Sequence, residues 1–140
     1  MIGLFLIAIM LFSTFAYAVL QAFYPRNSAK LPDSNIVNYP LDSNLKAALI
    51  QNGRTIITFE YNENCSFCAD QKAQLESFTN TYKPQIFLEE LTTSRIDSSN
   101  IIIASAYGDQ TIDDGNATRI VSSLCQLMVY PPATCALQRT

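Results

Sequence analysis

Cys65-Ser66-Phe67-Cys68 follows directly on an alternating apolar run, Thr55-Ile56-Ile57-Thr58-Phe59-Glu60-Tyr61, and opens a segment whose apolar residues recur at helical spacing. No other feature of the chain restricts its fold as strongly. A CxxC pair by itself occurs in zinc knuckles as well as in redox proteins, but a strand before it and a helix after it narrow the choice. At such a junction the first sulfur lies over a helix N-terminus, where unpaired backbone N–H groups and the macrodipole favour a thiolate. That geometry belongs to a dithiol redox site.

The first 24 of the 140 residues carry no charge and are almost all apolar. About 20 such residues, as a helix, match the hydrocarbon core of a bilayer. Apolar residues continuing to Phe23 and the lack of a basic leader favour an uncleaved anchor, whereas the small-x-small triplet Ala16-Tyr17-Ala18 would suit a cleaved signal peptide. Arg26 and Lys30 on the C-terminal flank would by themselves hold that flank in the cytoplasm. Four cysteines in a small domain argue for an exported one with disulfides. The sequons Asn64-Cys65-Ser66 and Asn116-Ala117-Thr118 point the same way as candidate glycosylation sites, although chance accounts for them equally well in a chain rich in Asn, Ser and Thr. The expected layout is an anchor or signal peptide over residues 1–24, an extended linker over 25–40 and one domain over 41–140. That domain is expected to be extracytoplasmic, or secreted if the first segment is removed.

Absences narrow the chemistry further. The chain has no histidine, which excludes Ser/His and Cys/His nucleophile pairs, histidine proton shuttles and mixed Cys/His metal sites. Its net charge of −3 with scattered Lys and Arg leaves no footprint for nucleic acid. Neither GxGxxG nor a phosphate loop occurs, and no cofactor is expected. Cysteine carries whatever chemistry the chain has.

Along the chain, Tyr24 to Pro40 reads as a Pro-, Asn- and Ser-containing spacer with a short edge strand at Ile36-Val37. Leu41 to Asn52 reads as a helix capped by Asp42 or Ser43 and stopped by Gly53. The strand Thr55 to Tyr61 leads to a helix from Cys65 to about Lys83, with Cys68, Leu75, Phe78 and Tyr82 on its apolar stripe. Ile86 to Thr92 is the next strand, and Ile101 to Ile112 is a hairpin turning at Tyr107-Gly108-Asp109. After Asp113-Asp114-Gly115-Asn116, a last helix is marked by Ile120, Val121, Leu124, Leu127 and Met128. The order is βαβ followed by ββα, and the right-handed crossover rule with the hairpin makes the sheet mixed.

With these elements in place the chain resembles the thioredoxin-like superfamily, in an order closer to the compact glutaredoxin arrangement. The resemblance is carried by the strand Thr55 to Tyr61, Cys65-Ser66-Phe67-Cys68, the helix after it and the ββα unit Ile101 to Met128, and it covers nearly all of the chain beyond the first segment. It implies that Cys65 is the exposed nucleophile and Cys68 the resolving thiol, exchanging with protein thiols or disulfides through a mixed disulfide. The family normally places a cis-proline before the strand facing the site. Ser98-Ser99-Asn100 stands there instead. A second alignment puts Tyr130-Pro131-Pro132-Ala133-Thr134 in that role, at the cost of leaving eight residues for a final hairpin partner and helix.

Cys125 lies on the last helix and Cys135 in a short tail able to fold back over it, so a structural disulfide is expected, worth roughly 2–3 kcal/mol on the chain-entropy model. The alternatives are two buried free thiols, or a zinc site with Cys65 and Cys68, for which the nine-residue gap is poorly suited. No metal is expected. Around the dithiol, Glu60, Glu63 and Asp70 would oppose thiolate formation if close, or form an ordinary solvated face. Three classes of function follow: a membrane-tethered thiol-disulfide oxidoreductase, a non-catalytic thioredoxin-like subunit docked to a membrane complex, and a domain stapled by disulfides. The first is favoured by the context of the motif.

Overall fold

The computed structural model describes residues 2–23 and 30–138; within the first helix the side chains of Ile2, Phe5 and residues 20–23 are not part of that description. Helix α1 spans Ile2–Phe23 and presents exposed apolar side chains, among them Leu4, Met10, Phe12 and Phe15. Among the described residues no helix is long and apolar enough to cross a membrane, so the expected span is not shown. Residues 24–29, with Arg26 and the start of the expected linker, lie outside the description.

The remaining elements are β1 (Ile36–Val37), α2 (Ser43–Gln51), β2 (Thr55–Tyr61), α3 (Cys68–Thr81), β3 (Ile86–Thr92), β4 (Ser99–Ser105), β5 (Gly108–Ile112), α4 (Ala117–Leu127) and a terminal 3-10 helix over Ala133–Gln138. The five strands lie in the order β1-β3-β2-β4-β5. β2 is parallel to β3, with Thr55 opposite Ile86 and Tyr61 opposite Thr92, and antiparallel to β4, with Tyr61 opposite Ser99. The sheet is therefore mixed, as the βαβ and ββα units require. β1 joins the far edge of β3, Ile36 opposite Leu88, so the latter part of the expected linker contributes to the sheet.

Alternation along the strands divides the apolar side chains between two faces. Ile57, Phe59, Ile86, Leu88, Ile101 and Ile103 pack against Leu75 of α3 and Ile120 and Leu124 of α4. Ile56 and Phe87 point the other way and are covered by Val37, Leu41, Leu45 and Leu49 at the α2 side. This second face also holds a fully buried carboxylate, Glu89, which accepts from Leu41 N–H and the Thr58 hydroxyl and pairs with Lys46 Nζ at 2.7 Å.

Caps set most helix boundaries. The Asp42 side chain accepts from Asn44 N–H at the start of α2, and Asn116 Oδ1 accepts from Thr118 and Arg119 N–H at the start of α4. The start of α3 differs from expectation. It begins at Cys68 rather than Cys65, because Asn64 N–H donates to Asn62 Oδ1 (2.9 Å) and Cys65 N–H to the Asn62 carbonyl (3.0 Å), closing a side-chain-stabilised turn before the helix. Its end falls at Thr81 rather than Lys83. The hairpin is tighter than expected too, with Ser105 paired to Gly108 and only Ala106 and Tyr107 between them. Gly108 adopts φ 122°, which a side chain would resist. Among the described residues the one cis peptide is Lys83–Pro84, so the alignment that made Pro131 or Pro132 a cis-proline facing the site is not supported.

Candidate dithiol site

The geometry starts from β2. Its last residue, Tyr61, hands the chain to the turn 62–65, and Cys65 and Cys68 follow with an S–S distance of 2.06 Å and a Cα separation of 5.4 Å. Cys68 is 2% exposed and belongs to the core, whereas Cys65 is half-buried at its edge. No side chain caps α3: Phe67 occupies the cap position without a capping hydrogen bond. First-turn N–H groups thus remain without a capping side chain next to the sulfurs, the condition that favours a thiolate once the bridge is reduced. Phe67 is 42% exposed and forms an apolar lip beside the bridge.

Two residues that sequence reasoning did not assign to the site, Gln71 and Gly115, meet at that lip. A Cβ on Gly115, which adopts φ 65°, would come within 2.8 Å of Gln71 Nε2 and 3.2 Å of the Phe67 ring. Backbone therefore packs here where a side chain would not fit. Gln71 is buried one turn after Cys68, its Oε1 accepting from the Ser99 hydroxyl and its Nε2 without a partner. Ser99 opens β4. In the sequence Gln71 looks like a solvated polar helix position, and Gly115 like part of a helix start. Their spacing held no signal of the contact.

Of the three carboxylates that would either oppose the thiolate or form a solvated face, Asp70 lies in the first turn of α3 and is exposed. Glu63 is exposed and lines a cleft of about 290 Å³ with Asn62, Asn64, Thr92, Thr93 and Ser94, immediately before Cys65. By alternation Glu60 shares the face of Ile56 and Thr58, away from α3. The charges that do pack close under α3 are Lys72 and Glu90, paired at 3.2 Å, with Lys72 Nζ also 5.7 Å from the centre of the Tyr61 ring.

Burial pushes the Glu90 carboxyl above the usual carboxylate range; the hydrogen bond from Lys72 opposes this, and Glu76 adds to it. Lys72 is held above its ordinary value by the hydrogen bond to Glu90. Glu90 Oε1 is buried without a partner. A carboxyl whose pKa is raised on folding gives stability that is full below its unfolded pKa and is lost as pH rises through its folded one. Glu90→Gln will therefore melt higher than wild type at pH 7, by about 0.5 kcal/mol or about 2–4 °C, and the difference will close as pH falls through the carboxylate range. A lower midpoint for the variant at pH 7 would show that the Lys72 ion pair outweighs the burial.

The second cysteine pair is separate. Cys125 of α4 is bridged to Cys135 of the terminal 3-10 helix, with an S–S distance of 1.98 Å. All four cysteines are thus in disulfides. Asn64 is exposed in the turn before Cys65, and Asn116 is exposed as the cap of α4. Among the described residues no cluster of three or more His, Cys, Asp or Glu could hold a metal ion.

No protein-family model matches the chain, and no curated protein matches it. Among solved structures it is similar to a redox protein from Chlamydomonas reinhardtii, with a TM-score of 0.53 and 16% identity over 78% of this chain. The chain spans 44% of the length of that protein. At that identity the likeness shows the fold alone. Together with the sheet order and the Cys65–Cys68 bridge, it fits a thioredoxin-like fold.

Proposed function

We propose that the protein is a thiol-disulfide oxidoreductase tethered to a membrane, exchanging electrons with protein thiols or disulfides through Cys65 and Cys68. The observation that carries this reading is the asymmetry of the pair: a half-buried sulfur in a turn, bridged to a buried one at an uncapped helix start. In the exchange, a reduced Cys65 thiolate attacks a substrate disulfide sulfur and releases one substrate thiolate. Cys68 then attacks Cys65 in the mixed disulfide, releasing the second substrate thiol and closing the Cys65–Cys68 bridge, so that two electrons pass to the substrate. The similarity to a solved redox protein supports the same reading.

The tether is supported by the uncharged first 24 residues and by the exposed apolar side chains of α1. In this reading the domain lies outside the cytoplasm, where Cys125–Cys135 serves as a lasting structural bridge and Asn64 and Asn116 are open to glycosylation. A docking subunit of a membrane complex is the competing function, and it predicts no exchange.

Both parts of the reading meet in one experiment. Full-length protein mixed with phosphatidylcholine vesicles will float with them, and mild dithiothreitol will open Cys65–Cys68 in the floated fraction before Cys125–Cys135. Protein left at the bottom of the gradient removes the tether. A Cys65–Cys68 bridge that opens no sooner than the tail bridge removes the redox assignment.

A further inference from the structure

Every polar backbone and side-chain group of Asn62 is engaged, and the partners lie on two segments that meet at the dithiol. Its side-chain Oδ1 accepts from Asn64 N–H (2.9 Å) and its carbonyl from Cys65 N–H (3.0 Å), which folds residues 62–65 into one turn. Its Nδ2 donates to the Ile96 carbonyl (2.8 Å) and its own N–H to the Ser98 carbonyl (3.1 Å), tying that turn to the segment between β3 and β4. Besides the bridge to Cys68 and packing at the edge of the core, these bonds are what fix the backbone of Cys65 ahead of the helix start, because α3 begins three residues later and Phe67 provides no cap.

We propose that Asn62 is the positioning residue of the dithiol, holding Cys65 Sγ over the N-terminus of α3 and fixing the segment 93–98 beside it. The proposal rests on the redox reading of Cys65 and Cys68. Asn62 touches neither sulfur through a hydrogen bond and acts only by placing the backbone of Cys65. Without the turn, Cys65 samples positions away from the unpaired N–H groups of α3, and its thiolate loses part of the stabilisation they give.

The test uses the full chain carrying Cys68→Ser, in which Cys65 is free and Cys125–Cys135 stays closed, and follows the rate of iodoacetamide alkylation of Cys65 against pH. In this parent the inflection will lie below that of an ordinary cysteine, about 8.5. Adding Asn62→Ala will move the inflection up and slow alkylation at pH 7 by about two- to fivefold, the range that loss of a helix-terminus interaction gives. Asn62→Ser can rebuild the turn through its hydroxyl but cannot reach Ile96. It will therefore restore most of the inflection while its thermal midpoint stays as low as that of Asn62→Ala. If the Asn62→Ala profile superimposes on the parent's, or if Ser restores nothing, Asn62 is a structural residue only and the proposal is wrong. A parent whose own Cys65 titrates as an ordinary thiol overturns the redox reading itself, a result distinct from the other two.

Discussion

A Cys68→Ser chain will accumulate mixed disulfides with substrate proteins through Cys65, and a Cys65→Ser chain will accumulate none. The expectation comes from burial and timing together. Cys65 is half-buried in a turn at the edge of the core, so a substrate sulfur can reach it in line. Cys68 is 2% exposed, and its task is to attack Cys65 within the mixed disulfide, so its removal stalls the reaction after the first bond exchange. Cys65→Ser leaves a thiol that no substrate reaches. Non-reducing gels of cell extracts, with the trapped bond mapped by mass spectrometry, will show the difference as bands in one variant against background in the other. Equal trapping by both, or by neither alongside a wild-type pair inert to dithiols, ends the oxidoreductase reading and leaves the docking subunit in its place.

Glu89→Ala will cost the fold about 3 kcal/mol in urea denaturation, the loss expected when one partner of a buried ion pair is removed. Three groups depend on that carboxylate: the Leu41 N–H just before α2, the Thr58 hydroxyl of β2, and Lys46 of α2. The Lys46 side chain is 32% exposed and can recover some hydration, which keeps the cost at the lower end of the range for buried pairs. The Leu41 N–H and Thr58 hydroxyl have less recourse, and an unmet buried donor carries its own penalty. Against a total stability of about 5–15 kcal/mol this is a large fraction. Because Glu89 lies on the α2 face and the dithiol on the other, the folded fraction of the variant should keep its alkylation profile at Cys65. A loss below 1 kcal/mol would mean that water replaces the carboxylate in all three contacts.

The parts of the fold legible in the sequence are those where one short-range rule decides the outcome. β2 and β3 fall at their expected residues because β-branched and aromatic residues bounded by Gly53, Arg54 and Pro84 leave little choice. The start of α2 is legible as Asp42 or Ser43 and that of α4 as the run Asp113 to Asn116, and the side chains of Asp42 and Asn116 are the ones that cap them. The site was harder to read. Cys65 and Cys68 are visible as a motif, but the onset of α3 depends on a turn closed by Asn62, and an asparagine two residues before another asparagine is an ambiguous signal in a chain with many of them. Gln71 and Thr79 are polar by type and buried in fact, Thr79 through a hydrogen bond to the Leu75 carbonyl and Gln71 through Ser99. The Thr79 bond is local to α3, whereas the Ser99–Gln71 bond is a tertiary pairing that no periodicity records. Glu89 was hidden for the same reason: a strand position that reads as solvent-facing is buried because Lys46 and the Leu41 amide, both distant in sequence, converge on it.

Residues 93–98 join β3 to β4 directly, around the end of β2, with no helix between. Their half-buried or exposed side chains take no place in either apolar cluster, and they are held by the main chain and by Asn62. A connection of this kind can be lengthened at little thermodynamic penalty, because loop-closure entropy grows only slowly with length. It therefore marks the place where a protein engineer, or divergence among descendants of this chain, could graft new residues beside the turn that carries Cys65 while leaving the packed interior as it is.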